Sequence, residues 1–300
     1  IMHAHEHMNG EERLLDRIGQ ETPVEIQRTV VNGYTIQAVV AGSGEPLLLL
    51  HGGNFGFGQW YKNIGTLAQQ YRVYAVDLPG AGGSSPIDPR TFRVPADYVP
   101  LLEDWIKILG LQNLRVVAHS FSGWIALQLA SRQNVSIKKL VFVNVLGFSR
   151  YIPLAQRLVA LSPFVGLMAK TAMYPSQKNL RRFFSSAFYA AANLEDDFVE
   201  YIYHGIHHRQ VMHPLRFLHL LTERFGLKKI LFSEDAIRSV KQPSLVLLGR
   251  HDPLLPFETQ QMGYALLPNK EIYIINGAGH VPFIEKKDEF HQRVFEFLHQ

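Results

Sequence analysis

Short, nearly continuous apolar runs alternate with segments of helical periodicity in the first half of the chain. The apolar runs cover residues 46–50, 72–76, 114–118 and 139–144. Runs of this length are typical of strands that are buried on both faces of a parallel sheet. Segments with a helical period lie between them, at residues 59–70, 96–109 and 121–132. This alternation predicts a doubly wound α/β domain.

The chain is expected to open with a β-hairpin. Val24–Val31 and Tyr34–Ala41 are rich in β-branched and other apolar residues, and Asn32 and Gly33 join them. Asn-Gly is the strongest short signal for a two-residue hairpin turn. Residues 1–21 are polar, and we interpret them as an N-terminal tail.

The alternation stops at about Gly147 and resumes with an apolar run at 244–248. A helical segment at 258–266, a strand at 271–275 and a helix at 286–299 complete the second half. The interval between the two halves is mostly helical, with several prolines, many aromatic residues and no clear strand. We predict a core domain over 22–146 and 237–300, with a helical cap over 147–236 that roofs the active site.

Composition narrows the class of protein. Of 300 residues, 47% are hydrophobic and 19% are charged, which excludes a disordered chain and a coiled coil. The formal charge of +4 comes from scattered basic residues, so we expect no nucleic-acid partner. The chain has no cysteine, which excludes disulfides and a thiolate nucleophile. Apolar stretches fall short of the roughly 20 residues of a membrane span, and no signal peptide is visible, so we expect a cytoplasmic protein.

The segment with the clearest chemistry is residues 114–123, LRVVAHSFSG. A buried strand runs into a helix through a turn that holds Ser120, with the small residues Ala118 and Ser122 two positions to either side. Such a sharp turn exposes a serine hydroxyl at the carboxyl end of the sheet, as in the GxSxG pattern. The helix N-terminus behind it favours developing negative charge. Ser120 is therefore the candidate nucleophile.

A hydroxyl nucleophile needs a base, and the base needs an acid that fixes its tautomer. Residues 247–256, LLGRHDPLLP, leave a buried strand and present Asp252. Residues 276–282, NGAGHVP, leave the next strand and present His280 between small residues. Both positions follow the carboxyl end of a strand, where open α/β sheets bind ligands. Ser120, Asp252 and His280 are the candidate catalytic residues.

A glycine turn follows the strand at 46–50, in the sequence HGGNFGF from His51 onward. Glycines allow backbone N–H groups to approach a developing oxyanion. The expected donors are the N–H groups of Phe121 and Gly53, with Asn54 as the alternative to Gly53. A phosphate-binding loop fits less well, because no GK[ST] ending follows the turn.

Together these motifs resemble the capped serine hydrolases of the α/β-hydrolase fold. The marks are HGG at 51–53, DLPGAGGSS at 77–85, AHSFSG at 118–123, GRHDPLLP at 249–256 and GAGH at 277–280. The resemblance implies an eight-stranded, mostly parallel sheet and a triad of Ser120, Asp252 and His280. It also implies hydrolysis of a small-molecule ester without metal or organic cofactor.

Other activities remain open on the same scaffold. The stretch HGGNFGFGQWYKNI at 51–64 also resembles carbon-carbon bond hydrolases that act on ring-fission products. Those enzymes typically have Asn before the serine and an aromatic residue after the histidine, where this chain has His119 and Val281. Ester hydrolysis is therefore the preferred hypothesis, with carbon-carbon hydrolase, cofactor-free peroxidase or perhydrolase, and ligand receptor as alternatives. The oligomeric state is open.

Some polar residues are interpreted as structural. His119, beside the nucleophile, is expected to pack rather than to act as a second base, and Asp77 to hold a turn. His204, His207, His208 and His213 cluster in the cap, while His3, His5 and His7 alternate in the tail. Neither group has the further ligands that a metal site requires.

Overall fold

The structure, a computed structural model, describes residues 9–53, 55–208 and 211–300. Its strands are β1 Val24–Val31, β2 Tyr34–Ala41, β3 Pro46–Leu50, β4 Arg72–Asp77, β5 Leu114–His119, β6 Ile137–Val143, β7 Thr222–Glu223, β8 Gly226–Leu227, β9 Ser244–Gly249 and β10 Lys270–Ile275. Its helices are α1 Gly10–Glu21, α2 Ile64–Leu67, α3 Tyr98–Ile108, α4 Phe121–Arg132, α5 Leu154–Ala160, α6 Val165–Lys170, α7 Gln177–Ser185, α8 Asp196–His208, α9 Pro214–Leu221, α10 Glu234–Ser239, α11 Phe257–Leu266, α12 Pro282–Glu285 and α13 Lys287–His299. Short 3₁₀ turns lie at Phe57–Trp60, Ala191–Asn193 and Lys229–Leu231.

Eight strands form the central sheet in the order β1-β2-β4-β3-β5-β6-β9-β10. Strand β2 pairs antiparallel with both β1 and β4, and the pairs from β4 to β10 are parallel. This confirms the predicted fold class: an α/β fold with a mostly parallel, eight-stranded sheet. The N-terminal hairpin is confirmed as well, with Val31 opposite Tyr34.

The central strands are buried on both faces, as their apolar runs predict. In β5, Val116 packs into the core on one side of the sheet and Val117 into the core on the other. Helices α3, α4 and α11 contribute to the first core, and α1, α2 and α13 contribute to the second. The sheet is thereby covered on both faces, and the carboxyl ends of its parallel strands β3, β5, β9 and β10 lie at one edge.

The N-terminus differs from the expected tail over residues 1–21. Residues 10–21 form α1, which begins with a capping box in which the side chain of Asn9 accepts from the backbone N–H groups of Glu11 and Glu12. Leu14 and Ile18, one helical turn apart, are fully buried. Helix α1 packs against α8 of the cap. Residues 1–8, with His3, His5 and His7, lie outside the described residues.

The segment predicted as one helix at 59–70 is instead a 3₁₀ turn followed by the four-residue helix α2. The 3₁₀ turn packs closely on the cap, since a Cβ atom at Gly58 would lie 2.4 Å from the ring of Tyr201 in α8.

The interval between β6 and β9 is helical from α5 to α9, with the short hairpin β7–β8 after it. Helix α10 packs against α4 and α11 of the core. Within the described residues, no helix is both long and apolar enough to cross a membrane.

Candidate active site

Ser120 sits at the turn between β5 and α4 in a strained backbone conformation, with φ of 52° and ψ of −120°. Positive φ is rare for a residue with a side chain and is retained only where the surroundings enforce it. Close packing surrounds this turn, because a Cβ atom at Gly123, three residues after Ser120, would lie 2.1 Å from the Cβ atom of Val145. The hydroxyl of Ser122 donates to the carbonyl oxygen of His51, which ties the turn to the loop after β3.

The structure brings the three predicted catalytic side chains into one hydrogen-bonded series. Nε2 of His280 lies 3.0 Å from Oγ of Ser120, and Nδ1 of His280 lies 2.8 Å from Oδ2 of Asp252. His280 and Asp252 are almost fully buried. The distances are those expected when a base can accept the serine proton while a carboxylate orients the base.

The carboxylate of Asp252 is held ionised by its neighbours. Burial alone would raise its pKa, but His280 beside it and the N–H groups of Leu254 and Leu255, at 2.8 and 3.1 Å, hold the pKa below its ordinary value. Asn144, at the end of β6, also donates to Oδ2 of Asp252 and accepts from the N–H of Gly249. Asp252 can therefore stabilise a positive charge on His280.

The loop after β3 lies against the nucleophile. A Cβ atom at Gly52 would lie 2.8 Å from the Cβ of Ser120, so only glycine fits there. The N–H of Gly52 donates to Oε1 of Gln59, 2.7 Å away. Gly53 has a φ of +44° and lines the same cavity as Ser120 and Phe121. Asn54, the alternative oxyanion donor, lies outside the described residues.

The N–H groups of Gly53 and Phe121 have no hydrogen-bond acceptor among the described residues. Phe121 is the first residue of α4, and the first N–H groups of a helix have no acceptor within it. Both amides are thus available to a group bound beside Ser120.

His119 is fully buried beneath the site. Burial, followed by the charge of His280, lowers its pKa well below the ordinary value. Its Nε2 donates to the carbonyl oxygen of His280 at 2.8 Å, and its ring packs on that of Phe283. A neutral ring in this position supports the backbone of His280 and does not reach solvent.

Sequence reasoning missed Glu285, which links the cap to the loop of His280. Its carboxylate accepts from the N–H of Gly279 at 2.6 Å and from the N–H of Ala190, in the cap, at 3.0 Å. The N–H of His280 donates to the carbonyl oxygen of Ala187, also in the cap. No pattern of residue types marks such a contact in the sequence, because both partners are backbone N–H groups.

A cavity of about 360 Å³ lies between the cap and the sheet edge. Ser120 and His280 form its floor, and its walls are mostly aliphatic and aromatic side chains of the cap, among them Val159, Phe184 and Leu215. Within the described part of the chain, no Lys, Arg, Asp or Glu lines it. The cavity suits an uncharged, apolar ligand.

In the cap, His207 and His213 bind backbone groups, and the rings of His204 and His208 pack on each other. Nε2 of His207 donates to the carbonyl oxygen of Pro175, and Nε2 of His213 donates to that of Met173. Nδ1 of His213 accepts from the N–H of Leu215 at the start of α9. Among the described residues, no three His, Asp or Glu side chains are grouped as metal ligands would be.

A family model for the alpha/beta hydrolase fold matches residues 45–287. The chain belongs to this family. Among its relatives, this α/β hydrolase is 27% identical over 280 residues to the 2-hydroxy-6-oxo-6-phenylhexa-2,4-dienoate hydrolase of Comamonas testosteroni, covering 90% of this chain and 93% of that protein. It is 25% identical over 262 residues to the carboxylesterase YbfK of Bacillus subtilis strain 168, covering 84% of this chain and 79% of the relative.

A solved structure shares the fold of this α/β hydrolase. The 2-hydroxy-6-oxo-6-phenylhexa-2,4-dienoate hydrolase from Rhodococcus sp. strain RHA1 superposes with a TM-score of 0.77 at 20% identity, over 93% of this chain and all of that one. The relatives thus include hydrolases of esters and of other bonds.

Proposed function

We propose that this α/β hydrolase cleaves an apolar carboxylic ester through an acyl-enzyme formed on Ser120. The proposal rests on the hydrogen-bonded series from Ser120 through His280 to Asp252. Ser120 and His280 lie at the floor of a cavity that is lined by no Lys, Arg, Asp or Glu among the described residues.

In the first half of the reaction, Oγ of Ser120 attacks the ester carbonyl carbon and its proton passes to Nε2 of His280. Asp252 stabilises the resulting imidazolium, and the N–H groups of Gly53 and Phe121 bind the oxyanion. When the tetrahedral intermediate collapses, the bond to the alcohol oxygen breaks and His280 donates its proton to that oxygen. The acyl group remains on Ser120.

In the second half, a water molecule transfers a proton to His280 and attacks the acyl carbonyl carbon. The tetrahedral intermediate breaks its bond to Oγ of Ser120, which regains its proton from His280. The carboxylic acid leaves and the free enzyme is restored. No step calls for a group outside this chain and water.

Carbon-carbon bond hydrolysis is the second candidate, because the Comamonas relative is named for a dienoate substrate. A dienoate carries a carboxylate, and burying a carboxylate without a cationic partner is strongly unfavourable. The absence of Lys and Arg from the described cavity lining therefore favours the neutral ester. A receptor without turnover is disfavoured by the complete hydrogen-bonded series.

The test is hydrolysis of p-nitrophenyl esters of increasing acyl length by wild type, Ser120→Ala and Ser186→Ala. Ser186 is the matched control, because it lines the same cavity and its hydroxyl donates to the carbonyl oxygen of Phe183. We expect Ser120→Ala to lower kcat by about 10⁴-fold to 10⁶-fold and Ser186→Ala to change it little. Equal turnover by Ser120→Ala and wild type would refute the proposal, as would wild-type turnover of dienoates but of no ester.

A further inference from the structure

The positive charge of this protein is concentrated in the first half of the cap. Residues 147–194 contain six Lys and Arg and no Asp or Glu. Since the whole chain has a formal charge of +4, the remainder carries −2. Basic residues occur throughout the sequence, but the net positive charge is therefore confined to this one part of the molecule.

Most of these cations form no ion pair within the part of the chain that the structure describes. Arg150 pairs with Glu223, and Arg181 pairs with Asp196. The other four have no acidic partner among the residues that the structure describes, and their side chains are exposed or half-buried. They are Arg157, Lys170, Lys178 and Arg182.

The same part of the cap exposes large apolar side chains. Leu158 and Phe164 are each 64% exposed, and Leu167 is 59% exposed. With Leu154 and Leu161 they form what we call the outer face of α5 and α6. Large apolar side chains grouped on a water-exposed surface mark an interaction site more often than scattered ones do.

The sides of α5 and α6 opposite the outer face contact the rest of the protein, so the outer face is directed to solvent. Both α5 and α6 pack on α9, and Ala160 and Ala169 are buried at that contact. Ala155 and Val159 of α5 line the cavity above Ser120. One short helix thus separates the exposed leucines from the catalytic cavity.

We propose that the outer face of α5 and α6, with Arg157 and Lys170 on these two helices, docks on an anionic phospholipid surface. Lys178 and Arg182 of α7 add to the positive charge of the same part of the cap. Helices that lie in a lipid interface combine an apolar face with flanking Lys and Arg, which attract anionic headgroups. A second copy of the chain fits less well, because it would bring two sets of these cations together.

Docking has a consequence for substrate access that rests on the proposed function. An apolar ester dissolved in the bilayer would reach the cavity past α5 without passing through water. The docking itself is independent of any chemistry at Ser120.

The binding test uses full-length Ser120→Ala protein, which holds the fold without consuming lipid. We expect it to co-sediment with vesicles of phosphatidylcholine mixed with phosphatidylglycerol, and much less with phosphatidylcholine alone. Raising salt from about 0.1 M to about 1 M shortens the screening length from about 10 Å to about 3 Å and should release most of the protein.

Two pairs of variants locate the surface. Leu158→Ser with Phe164→Ser should weaken vesicle binding by at least about tenfold, because both side chains leave water on docking. Val30→Ser with Met262→Ser is the matched control, since those side chains are 69% and 85% exposed on the core. Lys170→Gln should weaken binding by about fivefold, and Lys241→Gln, on the core, should not.

Equal loss in the control pair, or equal binding to neutral and anionic vesicles, would overturn the docking proposal. So would self-association of the free protein that Leu158→Ser with Phe164→Ser abolishes, because the outer face would then be a contact between copies. Turnover of a short, water-soluble ester is measured separately, with the same surface variants made in protein that retains Ser120. Vesicle binding without any esterase activity in wild type would refute the proposed function and leave the docking proposal standing.

Discussion

Glu285 offers a sharp test of how the cap and His280, the proposed catalytic base, are coupled. Its carboxylate accepts from the N–H groups of Gly279 and Ala190. A hydrogen bond to a charged group contributes about 1.5–3 kcal/mol, and we use the lower end because Glu285 is only half-buried. Glu285→Ala should therefore lower the free energy of unfolding by about 3 kcal/mol.

Only the bond to Gly279 bears directly on the position of His280. If its contribution of about 1.5 kcal/mol is lost in the transition state, kcat should fall about tenfold. Glu285→Gln keeps one acceptor oxygen for the two amides and should fall between wild type and Glu285→Ala.

The assay is steady-state hydrolysis of a short p-nitrophenyl ester together with chemical unfolding. Asp288→Ala is the matched control, because Asp288 is an exposed carboxylate three residues further along the chain. We expect it to change stability by no more than about 0.5 kcal/mol and to leave kcat unchanged. If Glu285→Ala behaves like Asp288→Ala in both measurements, the coupling drawn from these two hydrogen bonds is wrong.

Four further outcomes are expected. Asp252→Asn should lower kcat by up to about 10⁴-fold in the same ester assay, because His280 loses its orienting anion. Val159→Phe should fill part of the cavity and reduce kcat/KM for long acyl chains relative to acetate, by about fourfold per excluded methylene. Leu14→Ala should destabilise the fold by about 2–5 kcal/mol in denaturant titration. Burial raises the pKa of Asp77 to about 7, so the folded protein keeps a proton that the unfolded chain releases near pH 4. Stability should then fall as pH rises from about 4 to 7, by at most about 1.4 kcal/mol per unit, and Asp77→Asn should flatten that slope.

The proposed catalytic residues and the sheet were predictable because both depend on local sequence. Buried parallel strands are continuous apolar runs, and the turns after β5, β9 and β10 have a characteristic composition around Ser120, Asp252 and His280. Each of the three residues follows the carboxyl end of a parallel strand, and these ends lie at one edge of the sheet. Their proximity therefore follows from the topology.

Features that depend on tertiary contacts were not predictable in the same way. Glu285 binds the backbone amide of Gly279, six residues earlier, and that of Ala190 in the cap, and a side-chain contact with backbone leaves no pattern of residue types. Helix α1 is different, because Asn9 and Glu12 carry the capping-box signal and Leu14 and Ile18 the helical period. The helix signal was present in this segment, but its polar composition led to the interpretation as a tail.

The measurement that bears most directly on the proposed acyl-enzyme is trapping of the nucleophile. Wild-type protein is treated with a fluorophosphonate, digested, and the modified peptide is located by mass spectrometry. The proposal predicts one adduct per chain, on Ser120, lost in Ser120→Ala and retained in Ser186→Ala. An adduct on another serine, or none in protein that hydrolyses esters, would contradict it.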